Sequence, residues 1–159
     1  MLRSDVRQPQ AMDTTEDAAE ARDTESDVEE LVDPIALADL ERLGGHAFIS
    51  GLVSQFSDDA TELLSSLREA VAEENVKRFR DAAHALRGSA ANLGAARVFS
   101  NCLALRSITP SQLAVEGDER VAQLMDDVGD TIEILRAHIA AHRNDSAAEN
   151  KVRVARHCA

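Results

Sequence analysis

The stretch DAAHALRGSAANLG, residues 81–94, places a histidine, an arginine and a glycine within five residues of one another. An exposed imidazole can act as a nucleophile through its neutral form. A cation one helical turn away can hold an anionic phosphoryl group by charge-assisted hydrogen bonding. The pairing of His84 with Arg87 therefore favours chemistry on an anionic group, with His84 as the candidate nucleophile.

The presence of glycine at position 88 calls for an explanation, because glycine in a helix interior costs about 0.5–1 kcal/mol of stability relative to alanine. On a helical wheel of about 100° per residue, the apolar arc centres on Phe79 and Leu86, and His84 lies about 140° from Phe79. The outer face around His84 holds Lys77, Arg80, Arg87, Gly88, Ala91 and Ala95. A glycine there removes side-chain bulk and would let the surface of another protein approach closely.

The composition indicates an all-α chain. Its 159 residues include four Phe but neither Trp nor Tyr, so small and branched aliphatic residues must fill the core. Proline and glycine are few, and no convincing alternation of apolar and polar residues predicts a strand.

Apolar residues recur at helical spacing in five segments. These are a short helix capped by Asp33 and stopped by Gly44-Gly45, and helices over about 46–73, 75–93, 96–108 and 118–142. The pattern predicts an antiparallel up-down four-helix bundle over residues 33–142, with the short additional N-terminal helix packed across one end. Residues 1–32 are expected to form an acidic disordered tail or linker, and residues 143–159 a flexible C-terminal tail.

Charge and hydropathy exclude several classes of protein. The net charge of −12 argues against nucleic-acid binding, which needs basic patches. Neither a signal peptide nor an apolar run of about 18 residues is present, so we expect a cytoplasmic location without membrane contact. The chain has two cysteines, Cys102 and Cys158. They do not form a disulfide framework, and their spacing is not that of a zinc site. His138 and His142 could share a metal at their i,i+4 spacing, but the sequence shows no second pair of ligands, so no metal site is predicted.

The run AHALRGSAANLG resembles the signature of histidine-containing phosphotransfer (HPt) domains. The matching positions are His84, Leu86, Arg87, Gly88, Ser89, Leu93 and Gly94. Upstream, LERLGGHAFISGLVSQF resembles the Gly pair that leads into a long helix in the family, and downstream NCLALRSI resembles its following short helix. The resemblance covers about residues 33–142. Two positions depart from the family pattern: Arg87, where Lys is more usual, and Arg106, where an acidic residue is frequent.

The resemblance implies a phosphocarrier rather than an autonomous ATP-dependent kinase. His84 would accept a phosphoryl group at Nε2 from an aspartate on a receiver domain and pass it to another response regulator. Arg87, and in second place Arg80, would stabilise the phosphoryl charge. The partner interface would comprise Lys77, Arg80, Gly88, Ala91 and Ala95. The domain would bind no cofactor of its own, the Mg²⁺ would belong to the receiver, and the chain is expected to act as a monomer.

Two other functions stay open at this point. The chain could be the phosphoacceptor domain of a chemotaxis-type or hybrid histidine kinase, or a helical module that binds receivers without chemistry. It could be free-standing or the C-terminal piece of a hybrid sensor kinase. The resemblance implies an upstream (hybrid) sensor histidine kinase as a partner besides the receiver domains.

Overall fold

The computed structural model describes residues 31–157, with side chains through residue 142. The described part contains four α-helices and one 3₁₀ turn, and no strand. They are α1 (Pro34–Ala72), α2 (Val76–Leu93), α3 (Ala96–Ala104), the 3₁₀ turn Leu105–Ser107, and α4 (Pro110–His157). The all-α class is confirmed. None of these helices is long and apolar enough to cross a bilayer.

The four helices form the predicted bundle around an aliphatic core. α1 packs against α2 and α4, and α3 bridges α2 and α4. Because the connections between helices are short, successive helices run antiparallel. The largest buried side chains come from all parts of the bundle: Ile49, Leu67, Phe79, Leu86, Leu93, Val98, Leu113, Leu124 and Leu135.

α1 consists of two helical segments joined at Gly45. That residue has φ 66° and ψ −168°, a conformation open to glycine but costly for other residues. The first segment begins at an Asp33 cap, whose Oδ1 accepts from the backbone N–H groups of Ile35 and Ala36 at 2.9 and 3.3 Å. The short additional N-terminal helix is therefore present, and the Gly pair marks its end as predicted.

The C-terminus of α2 is closed by a Schellman motif at Gly94 (φ 75°). The N–H of Ala95 donates to the carbonyl of Ala90 at 2.9 Å, and that of Gly94 to Ala91 at 3.3 Å. Asp33 N–H donates to the Gly94 carbonyl at 2.8 Å, and a Cβ at position 94 would lie 2.8 Å from the Ala36 Cβ. Gly94 thus allows the start of α1 to pack closely on the end of α2.

The start predicted for the last helix, near residue 118, is wrong. α4 begins at Pro110 because Thr109 and Gln112 form a capping box: Gln112 N–H donates to Thr109 Oγ1 at 3.3 Å, and Thr109 N–H donates to Gln112 Oε1 at 2.9 Å. Proline is favourable at the first helical position. Leu113, in the segment predicted as a loop, is buried in the core.

The predicted tails, residues 1–32 and 143–159, overlap the described residues only in part. Residues 1–30 lie outside the described residues, so the predicted disorder stays a prediction there. Leu31 and Val32, which the sequence assigns to the tail, are buried in the core. The helical conformation of α4 continues past residue 142 to His157, although the apolar period ends earlier. The flexibility predicted for residues 143–159 stays a prediction as well.

Candidate functional site

His84 lies in the middle of α2 on the face that points away from the core. It is exposed, whereas Phe79 and Leu86 on the opposite face are fully buried. Asn75 caps the start of the helix by accepting the Arg78 N–H at 3.0 Å, and the Schellman motif closes its end. The helical wheel drawn from the sequence therefore assigns His84, Phe79 and Leu86 to the correct faces, and the packing of α2 holds the imidazole on the surface.

Arg87 lies one turn after His84 and contacts its imidazole ring. Its Nη2 is 3.0 Å from His84 Nδ1. A guanidinium has donors but no acceptor, so Nδ1 must accept and carries no proton in this arrangement. A neutral ring then bears its proton on Nε2, and Nε2 gains its lone pair only after Arg87 releases Nδ1 and the proton relocates there.

Residues of α3 form one side of the site, and the sequence alone does not identify them. The Arg87 Cζ lies 5.9 Å from the centre of the Phe99 ring, within the range of a cation–π contact. Phe99 and Leu103, one turn apart on α3, are 36% and 42% exposed. Both belong to the apolar helical pattern. The packing of α3 beside Arg87 shows that Phe99 borders the site, and Leu103 lies one turn further along the same helix.

Gly88 and Ala91 are exposed on the same side of α2 as His84. Within the described part of the chain, no heavy atom of another element lies within 4 Å of where a Cβ on Gly88 would stand. The glycine therefore does not serve close helix packing within this bundle. It leaves open space next to His84, as the sequence predicts for a surface that a partner approaches.

Two other cations of α2 have partners within the chain. Lys77 is exposed and pairs with Asp81, with Nζ 2.7 Å from Oδ2, and this hydrogen bond raises the pKa of the lysine. Arg80 donates from Nε and Nη2 to the Ile108 carbonyl, at 3.2 and 2.5 Å. Arg80 thus ties the end of the 3₁₀ turn to α2, a contact between residues 28 positions apart that the helical wheel could not predict.

The assignment of Ala95 to the partner surface is wrong. The residue is fully buried. The wheel assumes that the helix continues, but the left-handed Gly94 ends α2 and turns Ala95 inward as the N-cap of α3. Of the residues predicted around His84, the structure leaves Lys77, Arg80, Gly88 and Ala91 exposed.

Polar contacts behind the site fasten α2 and α3 to their neighbours. Ser89 Oγ donates to Asp59 Oδ2 of α1 at 3.2 Å. Asp127 of α4 is 1% exposed, and its carboxylate accepts from Asn101 Nδ2 at 2.5 Å and from Gln123 Nε2 at 3.1 Å. A buried carboxylate is tolerated only with such donors. The Ser89 contact therefore fastens α2 to α1, and the Asn101 contact fastens α3 to α4.

Comparison with known proteins places these features in a family. The family model described as Hpt domain matches residues 51–145, more than half of the chain. No curated protein matches the sequence significantly.

Solved structures show the same fold. Histidine-containing phosphotransfer protein B of Pseudomonas aeruginosa superposes with a TM-score of 0.61 at 20% identity, over 69% of this chain and 95% of that one. The histidine-containing phosphotransfer protein MtHPt2 of Medicago truncatula superposes with a TM-score of 0.62 at 21% identity, over 86% of this chain and 96% of that one.

Proposed function

Since this chain belongs to the Hpt domain family, we propose that it carries a phosphoryl group on His84 between receiver domains of a multistep phosphorelay. The observation that carries the proposal is the exposed His84 imidazole with the Arg87 guanidinium 3.0 Å from its Nδ1. A nucleophile and a cation for the phosphoryl oxygens are thus adjacent on an accessible face.

The transfer step follows from the two ring nitrogens. With the proton on Nδ1, the lone pair of Nε2 attacks the phosphorus of an aspartyl phosphate on the receiver. The N–P bond forms as the bond between phosphorus and the aspartate oxygen breaks, and the carboxylate leaves with the electron pair. Onward transfer is the reverse step, with a second aspartate as the nucleophile and the His84 ring as the leaving group.

Arg87 takes part by changing its contact. Its guanidinium donates to Nδ1 before transfer, and moving to the phosphoryl oxygens would free Nδ1 for the proton and neutralise part of the transferred charge. This movement is short, because it stays within one turn of α2. It supports Arg87 rather than Arg80 as the residue that contacts the phosphoryl group. Arg80 is already engaged with the Ile108 carbonyl.

The partner surface would comprise His84, Gly88 and Ala91 of α2 together with Phe99 and Leu103 of α3. Open space at Gly88 and two exposed apolar side chains on α3 suit a protein partner. The Mg²⁺ that such transfer uses would be bound by the receiver, and the receiver would come from a response regulator or a hybrid sensor kinase. We expect the chain to act as a monomer in this exchange.

The test uses the purified full chain with two phosphoryl sources. One arm supplies a ³²P-labelled phospho-receiver, and the other supplies a histidine kinase with labelled ATP. The proposal predicts label from the receiver that is stable in alkali, labile in acid, absent in His84→Gln and retained in the control His157→Gln. Label only from the kinase would indicate the phosphoacceptor domain of a kinase, and receiver binding without label would indicate a docking module. Either result would overturn the carrier role.

A further inference from the structure

Three side chains with metal-ligating atoms meet between α1 and α4. Glu41 Oε1 lies 2.6 Å from His138 Nε2, and both groups are about a quarter exposed. Atoms of Glu41, His138 and His142 that could ligate a metal all lie within 4.8 Å of one another. His138 and His142 share one face of α4 at i,i+4, and the structure adds the carboxylate that the sequence does not reveal.

His46 adds a further imidazole from α1. Its ring centre is 5.3 Å from that of His142, and the His138 and His142 ring centres are 4.3 Å apart. The His46 Nδ1 atom is buried and has no hydrogen-bond partner among the described residues. Buried polar atoms without a partner are uncommon and ask for an explanation. Glu41 and His46 lie on opposite sides of the bend at Gly45, and both lie close to histidines of α4.

Two hydrogen bonds within the cluster leave its side chains in an arrangement that can bind a cation. His142 Nδ1 is 3.0 Å from the His138 carbonyl oxygen, which can only accept, so Nδ1 bears the proton and the lone pair lies on Nε2. Metal-binding histidines commonly donate their second N–H to a backbone carbonyl in this way. The Glu41 carboxylate accepts from His138 Nε2, so its Oε1 already lies beside a second candidate ligand atom.

We propose that Glu41, His138 and His142 bind a divalent transition-metal ion of the zinc class, with His46 as the fourth ligand. Zinc is bound tetrahedrally by histidine nitrogens and carboxylate oxygens at about 2.0–2.2 Å. Ligand atoms around such an ion are about 3.3 Å apart by this geometry, so Glu41 and His138 need to separate only slightly from 2.6 Å. To give the Nε2 lone pair to the ion, His138 has to lose the proton by which that nitrogen bonds to Glu41, so the ion takes the place of this proton.

An ion can reach the cluster from the surface. Glu41 and His138 line an open groove of about 490 Å³ between the first segment of α1 and the α4 helix. The rest of its lining is apolar, including Leu37 and Ile134, which offers no competing ligand. A bound ion would join the first segment of α1 to α4. Neither of these helices carries His84, which is on α2.

The experiment titrates zinc chloride into the full chain in chelator-treated buffer, followed by calorimetry and by the melting temperature. We expect one ion per chain and a melting temperature that rises with zinc concentration but not with magnesium, which prefers octahedral oxygen ligands. His142→Gln leaves the hydrogen bond between Glu41 and His138 in place, so it should fold normally and yet bind zinc at least about tenfold more weakly.

Controls separate the cluster from other ligands in the chain. The double variant His157→Gln/Cys158→Ser and the variant Glu133→Gln should bind zinc as the wild type does. Equal affinity in His142→Gln and wild type, loss of binding in the double variant, or an equal melting shift with magnesium would each overturn the proposal. None of these readouts needs a receiver, so the result is independent of the role of His84.

Discussion

The guanidinium of Arg87 donates to the Nδ1 atom of His84 across 3.0 Å. This contact orients the imidazole ring with Nε2 on the side away from Arg87. It also places the proton of a neutral ring on Nε2, so the unbound chain is held in the tautomer that does not attack. In the proposed transfer, release of Nδ1 by Arg87 and arrival of the phosphoryl group would therefore be linked events.

Replacing Arg87 tests this link. Hydrogen bonds to charged groups are worth about 1.5–3 kcal/mol, so Arg87→Ala should slow phosphoryl transfer from a receiver by about ten- to a hundredfold. The unfolding free energy should change by less than about 1 kcal/mol, because Arg87 interacts with His84 and Phe99 at the surface, where such interactions are weak. Quenched-flow transfer kinetics and chemical denaturation measure the two quantities.

Arg80→Ala is the matched control for that variant. Since Arg80 donates to the Ile108 carbonyl, its removal should lower the unfolding free energy by about 1 kcal/mol and slow transfer less than Arg87→Ala does. An unchanged transfer rate in Arg87→Ala, or a slower rate in Arg80→Ala than in Arg87→Ala, would remove Arg87 from the site.

The variant Gly88→Ala should be more stable than the wild type but should transfer the phosphoryl group less well. Its position is helical with open space around it, so alanine should raise the unfolding free energy by about 0.5–1 kcal/mol. The added methyl group meets the approaching partner, so transfer and receiver binding should weaken. Gly129→Ala in α4, which also has open space, should give the same stabilisation with unchanged transfer. Equal transfer in both variants would refute the docking role of Gly88.

Asp127 should matter for stability rather than for transfer chemistry. Asp127→Ala removes the acceptor for Asn101 and Gln123 in a buried position, so we expect the unfolding free energy to fall by about 1–3 kcal/mol. Its exposed neighbour provides the comparison: Asp126→Ala should change the stability by less than about 0.5 kcal/mol. Urea denaturation of the two variants measures the difference, and equal midpoints would contradict the role given to Asp127.

Cys102 should resist alkylation in the folded chain. Burial, with a smaller contribution from Asp127, raises the pKa of its thiol to about 12, and the side chain is 2% exposed. Below that pKa the thiol stays protonated, while alkylation requires the thiolate. In a Cys158→Ser background at a pH of about 8, well below that pKa, iodoacetamide should label Cys102 orders of magnitude more slowly than in denaturant. Labelling at the rate of the denatured chain would show that this part of α3 is open.

The features that the sequence predicts correctly depend on local periodicity. The positions of His84 and Gly88 on the outer face of α2 follow from the 3.6-residue repeat, and Asp33 and Asn75 act as caps where their residue types indicate them. The start of α4 is predicted wrongly although the residues of its capping box, Thr109 and Gln112, are present in the sequence. Apolar residues recur less regularly near Gly117, so a helix start predicted from this repeat alone misses the cap at Thr109.

The features that the sequence could not predict depend on contacts between distant elements. Ala95 turns inward because Gly94 ends the helix that the wheel extends. The Arg80 contact with Ile108 and the placement of Phe99 beside Arg87 require the packing of α3 on α2.

The most direct test of the account locates the phosphoryl group itself. The chain is phosphorylated by a phospho-receiver, separated from it at alkaline pH, and measured by ³¹P NMR together with mass spectrometry of its peptides. The account predicts one phosphohistidine, bonded through Nε2, on the peptide that contains His84, and none in His84→Gln. A phosphoryl group on another residue, or a chain that takes none from any phospho-receiver, would contradict it.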